Sequence, residues 1–339
     1  MIHPALAPYA NLAVYTAMGL FAATFICFAL YLAARSRPLP TAPAALVDTR
    51  TPVAAGAGPQ PSTDGPARVI SDTPPVTAPA GGRGDSRRAR QVAAIAVNLT
   101  YLGAACLLAA VVLRGISVMR PPTGNMYEFT TAACAAAATV YASLVQRRHW
   151  EWLGAFVTGL ILAALMAAVL LFYTGAEQLL PALHSYWLGI HVTIAICAVG
   201  FFTIAFPLSL LQLAQRRRSS NPTMTGHRML AAIPDAETLE RAAYGMNIVG
   251  FILWTFTLIT GAIWAQEAWG AYWQWDPKEV WTFIVWIVFA SHLHARATAG
   301  WQSKRATYIA LAGYLAVVAN FTLVNLSSTF AGMHNYSGM

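Results

Sequence analysis

The most regular feature of the sequence is a series of long apolar runs separated by short polar stretches. Each of eight runs is close to or above the roughly 20 residues that an α-helix needs to cross a bilayer. The runs cover about residues 10–34, 91–113, 126–146, 151–173, 186–214, 242–264, 280–298 and 306–327. The alternating pattern of outer-membrane strands is not seen. We therefore predict an all-α, polytopic membrane protein with about eight transmembrane helices.

Composition supports the same class. The 339 residues are 57% hydrophobic and 10% charged, with a mean hydropathy of +0.53. Soluble domains carry about 25% charged residues. A soluble globular enzyme is therefore excluded as an interpretation of this sequence.

Residues 35–90 differ in composition from the rest of the chain. They are rich in Pro, Ala, Gly, Thr and Arg and show no helical or strand periodicity. A segment of this kind buries too little apolar surface to offset its ordering entropy. We expect a first transmembrane helix in residues 1–34, a disordered cytoplasmic linker in 35–90, and a membrane domain in 91–339.

The net charge of +8 is distributed unevenly along the chain. All 21 Lys and Arg residues except Arg114, Arg120 and Lys278 fall in four polar stretches, 35–90, 146–149, 215–241 and 296–305. Such alternation follows the positive-inside rule, which places these stretches in the cytoplasm. The basic excess thus indicates topology and not a nucleic-acid partner, and both chain termini are expected outside.

The external segment between the sixth and seventh spans is rich in tryptophan. Residues 264–281 hold five of the 11 tryptophans, and Trp269 and Trp273 are spaced to share one helical face. An aromatic belt at the headgroup level is one interpretation. A platform for a large flat apolar ligand with a polar edge, such as a porphyrin, is the other, because the rings are concentrated in one loop.

The end of this segment also has the pattern of a helix start. Asp276 is suited to the N-cap, Pro277 to the first helical position, and Glu279 to the third position of a capping box. The two acids are therefore expected to begin the seventh span, and this role does not exclude a ligand nearby.

The segment from Trp269 to Glu279 closely resembles the tryptophan-rich "WWD" signature of heme-handling proteins. Among these the chain is most similar to the CcsA/ResC family of System II cytochrome c biogenesis. The similarity extends over most of the chain from about residue 91 and includes Asn125–Glu128, Ser185–Val192, Leu293–Arg296 and Gly332–Tyr336.

The resemblance implies a function and a set of partners. The protein would be a holocytochrome c synthase of the bacterial cytoplasmic (inner) membrane, acting in a complex with a ResB-type membrane partner. It would receive heme b from the cytoplasmic side, hold it at the extracytoplasmic face, and join it to the C-x-x-C-H motif of apocytochrome c. A thiol-reducing thioredoxin-like protein is a further partner that the resemblance suggests.

The resemblance also assigns heme ligands. It places an axial pair on His191 and His334, which flank the signature, and a transmembrane ligand on His294. The predicted topology puts the axial pair on the same side of the membrane, as one iron requires. His184 competes with His191, and the sequence alone does not choose between His294 and His292. A lone transmembrane histidine gives one axial ligand, so the second is expected from the partner.

The remaining predicted heme-contacting residues lie in the signature. They are Trp269, Tyr272, Trp273, Trp275, Asp276 and Glu279, and within this set Trp269, Trp273, Trp275 and Asp276 are predicted to act in the attachment reaction.

Two other function classes stay open from the sequence. One is a heme transporter or chaperone without lyase activity, and the other is a membrane diheme electron carrier. The chain has no C-x-x-C-H of its own, so it is not itself a c-type cytochrome. A diheme carrier would need paired histidines at both membrane depths, and a second such pair is not evident.

Overall fold

The computed structural model describes residues 4–36, 83–176, 185–220, 228–299, 304–327, 330 and 332–333. Within these ranges all regular structure is helical, and eight helices are long and apolar enough to cross a membrane. The prediction of an all-α protein with about eight spans is confirmed. The helices are α1 (Ala7–Arg35), α2 (Arg83–Val118), α3 (Met126–Val145), α4 (Gly154–Leu171), α5 (Tyr186–Ser220), the short α6 (Arg228–Ala231), α7 (Ala236–Trp269), α8 (Pro277–Ala299) and α9 (Lys304–Leu326).

Several helices are longer than the apolar runs that predict them. The largest differences are at α2, which begins at Arg83 inside the stretch predicted as linker, and at α7, which begins at Ala236. Arginine, glutamine and alanine favour helix, so a helix continues beyond its apolar run where such residues follow or precede it. Residues 37–82, which hold most of the predicted linker, lie outside the described part of the chain.

The helices pack around two apolar cores. The larger core joins α1 to α4 and the second half of α5, with Phe28 packed edge-on against Tyr141 at 6.3 Å between ring centroids. The smaller core joins α5, α7, α8 and α9 around Phe202, which stacks on Phe289 at 3.9 Å. Helix α5 contributes to both cores and therefore holds the two halves of the bundle together.

The two ends of the bundle differ in chemistry. Side-chain contacts place the end of α2, the start of α3 and the loop after α4 together, and likewise the start of α8 and the end of α9. We call this end, which carries residues 264–281, the tryptophan end. The opposite end carries Arg35, Arg147, Arg148, Arg217 and Arg218, and we call it the basic end.

Polar side chains fix where two of the helices begin. Asn125 accepts the Glu128 backbone N–H at 2.8 Å and caps α3. Asp235 accepts the Thr238 N–H at 2.8 Å and caps α7, and its hydrogen bonds from Thr238 hold the pKa of the Asp235 carboxyl below its ordinary value. These caps set the axial position of the residues that face the site.

Candidate functional site

A large cavity opens inside the tryptophan end of the bundle. Its volume is about 680 Å³, within the range of roughly 300–1,000 Å³ that small-molecule and cofactor sites occupy. Side chains of α3, α4, α5, α7, α8 and α9 form its walls, and most of them are apolar. Its polar lining includes His191, Lys278, Glu279, Asn320 and Asn325. The cavity therefore suits a ligand with an apolar body and a polar edge.

Three aromatic rings that contact one another line one side of this cavity. Phe321 of α9 stacks on Phe129 of α3 at 5.0 Å and meets Phe172, just beyond α4, edge-on at 5.9 Å. All three rings line the cavity. The two halves of the bundle thus meet here through aromatic side chains.

His191 is held in one wall of the cavity by a specific hydrogen bond. Its Nδ1 lies 2.9 Å from the backbone oxygen of Thr257 on α7, and its ring stacks on Trp264 at 6.1 Å between centroids. A carbonyl oxygen only accepts, so Nδ1 carries the proton and the lone pair of the neutral ring is on Nε2. Histidines that bind metals usually have this arrangement, in which a carbonyl fixes the tautomer and the orientation of the ring.

A glycine on α7 makes room for this ring. A β-carbon at Gly261 would lie 2.7 Å from Cε1 and 2.8 Å from Nδ1 of His191, closer than real side chains approach. The histidine therefore packs directly on the backbone of α7. Gly261 has no signal of its own in the sequence, because nothing there relates a glycine in the sixth span to a histidine in the fifth.

The tryptophan segment is divided by a turn. Helix α7 ends at Trp269 because Gly270 adopts φ of 76° and donates its N–H to the Gln266 oxygen. The prediction that Trp269 and Trp273 share a helical face is therefore wrong. Trp269 packs edge-on against Trp264 at 4.7 Å, whereas Trp273 contacts Trp275 and the first turns of α8.

The predicted aromatic contacts are in different environments. Tyr272 and Trp273 line the cavity, although Tyr272 is largely exposed. Trp269 packs behind the wall with Trp264, and Trp275 is 77% exposed with φ of 59°. The structure thus brings two of the four predicted aromatic residues to the cavity.

The acids of the segment form the capping box that the sequence predicts. Asp276 accepts the Lys278 N–H at 3.0 Å, and Glu279 reaches back to the Asp276 N–H at 3.2 Å. Glu279 also lines the cavity and accepts the Gln274 N–H at 2.8 Å. Asp276 does not line the cavity. Its second oxygen accepts the Met333 N–H at 2.6 Å, which attaches the chain beyond α9 to the start of α8.

A buried charge cluster stabilises the loops beside the cavity. Glu128 has a fully buried side chain and pairs with Arg114 at 3.0 Å and with Arg120 at 2.8 Å. Arg114 also donates to the Thr174 and Gly175 oxygens. The cluster therefore ties the loop after α4 to the helix pair α2 and α3.

The two histidines near the end of α8 face different ways. His292 is buried, with Nδ1 at 2.8 Å from the Ala306 oxygen and Nε2 at 3.4 Å from Asn247 Nδ2. The void beside it has a volume of only about 10 Å³, room for no more than one water. His294 is exposed on the outer face of α8. A large ligand at His294 would therefore lie on the outside of this chain.

Two of the histidines considered in the sequence are not described. His334 and its competitor His184 both lie outside the described residues. In the described part of the chain, no group of three or more His, Cys, Asp and Glu side chains is placed to hold a metal ion. His191 is thus the described histidine that lines the large cavity.

Comparisons with known proteins relate this chain to one family by sequence. Residues 123–331 match the family model described as Cytochrome C assembly protein. The chain is 34% identical over 254 residues to the "Cytochrome c biogenesis protein CcsA" of Synechococcus sp. (strain CC9902), covering 68% of this chain and 82% of that protein. It is 31% identical over 291 residues to the protein of the same name from Prochlorococcus marinus (strain NATL2A), covering 75% and 86%.

Proposed function

Because this chain belongs to the cytochrome c assembly protein family and is of the CcsA type, we propose that it binds heme b beside His191 and attaches it to apocytochrome c. Its general role in cytochrome c biogenesis follows from the family. The binding site, the attachment reaction and the partner are the proposal.

The observation that carries the proposal is the setting of His191. The ring lies in the wall of an apolar cavity of about 680 Å³, with Nδ1 hydrogen-bonded to a carbonyl and the lone pair on Nε2. A neutral imidazole in this tautomer is a suitable axial ligand for heme iron. The fit of cavity and ligand chemistry together supports heme over other apolar molecules.

We assign the second axial ligand to His334. Met333, the residue before it, is hydrogen-bonded to Asp276, and Asp276 adjoins the tryptophan segment. This contact supports a role for the chain beyond α9 at the same site. Asp276 and Glu279 would act by positioning that chain and the start of α8, and Trp273 and Tyr272 would contact the porphyrin directly.

The attachment reaction depends mainly on how the heme vinyl groups are oriented toward the cysteine thiols, and less on acid or base catalysis by this chain. In each thioether, the cysteine sulfur bonds to one vinyl carbon, the double bond is consumed, and the thiol proton goes to the other vinyl carbon. The step involves no net oxidation or reduction. The part of this chain is to fix the heme so that both vinyl groups meet both thiols, which is catalysis by proximity.

We place the reaction outside the bacterial cytoplasmic membrane. The described basic side chains concentrate at the basic end, which the positive-inside rule assigns to the cytoplasm. The cavity and the tryptophan segment are at the other end. His294, exposed on α8 toward the basic end, would bind heme together with a ligand from a ResB-type partner. A thioredoxin-like reductant for the apocytochrome thiols remains a prediction.

The test of the function is reconstitution of attachment. The full chain is expressed with a ResB-type partner and an apocytochrome that carries one C-x-x-C-H motif. We expect the purified complex to show a heme absorption spectrum and the cytochrome to retain heme on a denaturing gel. Bound heme without covalent product would favour a transporter or chaperone, and reversible redox of two stable hemes without product would favour an electron carrier.

A substitution at Gly261 tests whether the position of His191 matters. Gly261→Ala places a β-carbon where the imidazole lies, so the ring must move or α5 must shift, at a cost of about 1–3 kcal/mol for overpacking. We expect heme affinity to fall roughly tenfold, the equivalent of about 1.4 kcal/mol. The measurement is a heme titration followed by visible absorption.

Gly245→Ala is the matched control on the same helix. A β-carbon at Gly245 meets nothing within 4 Å, so this variant has the same gain in helix propensity without the clash. Equal affinities for the two variants would contradict the proposed position of His191 in the heme site.

A further inference from the structure

The wall of the cavity contains a lysine that forms no salt bridge within the described part of the chain. Lys278, at the second residue of α8, lines the cavity. Its Nζ donates to the Asn320 backbone oxygen at 2.8 Å and to Asn325 Oδ1 at 3.1 Å. Both acceptors are neutral, and the ion pairs within the described residues do not include Lys278. A charge that faces an apolar cavity is costly unless a counter-ion is supplied.

The nearby acids are directed to other donors. Asp276 accepts the backbone N–H groups of Lys278 and Met333. Glu279 Oε2 accepts the N–H groups of Gln274 and Asp276. Three of these four carboxylate oxygens therefore accept backbone N–H groups, and Oε1 of Glu279 is buried without a hydrogen-bond partner. Lys278 and Glu279 both line the ligand space.

An unmatched acceptor lies on the same wall. Asn320 is 5% exposed, and its Oδ1 has no hydrogen-bond partner. The hydroxyl of Thr282 donates its proton to the Lys278 backbone oxygen, so it can only accept from Asn320. The group of Asn320 that faces Thr282 is therefore the Nδ2 amide, which fixes the orientation of the side chain. The Lys278 ammonium has three N–H donors and uses two of them, so one remains for a ligand. The Asn320 oxygen remains for a water that bridges to the ligand.

We propose that Lys278 binds a carboxylate on the edge of the bound ligand, which for heme is a propionate. The inference rests on the proposed heme site and adds a second fixed point to it. His191 holds the iron, and Lys278 selects which edge of the ring faces the start of α8. Because the vinyl groups lie on the part of the ring away from the propionates, this contact orients them for the incoming thiols.

The test compares two porphyrins that differ only in their carboxylates. Hemin and hemin dimethyl ester are titrated into the full chain, in unchanged form and as K278Q, with visible absorption as the readout. The unchanged protein is expected to prefer hemin by about tenfold or more, as one charge-assisted hydrogen bond would give. K278Q is expected to lose that preference while it binds the ester as before.

Two further variants distinguish the effect of the Lys278 charge from that of its hydrogen bonds within the protein. N325A removes one internal partner of Lys278 and keeps the charge, so its preference for hemin should persist. K278R also keeps a cation and should retain most of the preference. The preference of the unchanged protein does not depend on whether K278Q folds.

Different results would contradict the role of Lys278 and the heme site itself. Equal affinity of the unchanged protein for both porphyrins, or an equal loss of both in K278Q, would overturn the role of Lys278 and leave the heme site intact. Failure of the unchanged protein to bind either porphyrin would overturn the heme proposal and this inference with it.

Discussion

Replacement of His191 by glycine is expected to reduce heme attachment in cells to less than about a tenth of the unchanged level. The substitution removes an imidazole whose Nδ1 is hydrogen-bonded to the Thr257 oxygen, and with it the proposed iron ligand on the α5 wall. Loss of a metal ligand or of the group that orients it commonly costs 10–100-fold in affinity or activity. The measurement is the heme signal of a co-expressed c-type cytochrome on a denaturing gel, normalised to its protein level.

Rescue by imidazole distinguishes a ligand from a packing residue. Added imidazole should occupy the space left in His191→Gly and restore much of the attachment, and His334→Gly should behave in the same way. His149→Gly is the control, since that residue is exposed at the basic end. Full attachment by His191→Gly in the absence of imidazole would rule out the ligand assignment.

Glu128→Gln is expected to cause the largest loss of stability. Glutamine has a similar volume but removes the negative charge between Arg114 and Arg120 and places an NH₂ group toward one of them. Removing one partner of a buried ion pair typically costs about 3–5 kcal/mol, because the remaining charge is uncompensated. We expect a clear fall in the thermal unfolding midpoint of the purified protein in detergent.

The exposed pair on α7 provides the matched control for this change. Glu237 lies 3.9 Å from Arg241, and both side chains are more than half exposed. Glu237→Gln should change stability by no more than about 1 kcal/mol. A midpoint for Glu128→Gln as high as that of Glu237→Gln would show that the cluster does not stabilise the loops.

The sequence predicts the spans well, because their apolar content is set by the bilayer. It predicts their ends less well. Polar helix formers extend α2 back to Arg83, inside the stretch predicted as linker. The exceptions to the positive-inside pattern also have a structural reason. Arg114 and Arg120 pair with Glu128, and Lys278 lines the cavity.

The site is less predictable than the fold, because it depends on which faces of the helices turn inward. Helical geometry separates His292 from His294, yet only packing shows that His292 faces the bundle and His294 faces outward. The spacing of Trp269 and Trp273 predicts a shared helical face, and this prediction is wrong because Gly270, in the left-handed conformation, ends the helix between them. Gly261 and Asn320 had no individual signal, since each acts through a neighbour distant in sequence.

The ring contacts of Phe321 with Phe129 and Phe172 have a practical consequence for biochemistry on this protein. All three rings line the cavity, and most of the other side chains in its walls are also apolar, so the cavity is favourable for hydrocarbon chains as well as for a flat ring. Hydrocarbon tails of lipids and detergents then become competitors for the ligand space. Apparent affinities will depend on the chain length of the amphiphile chosen for purification.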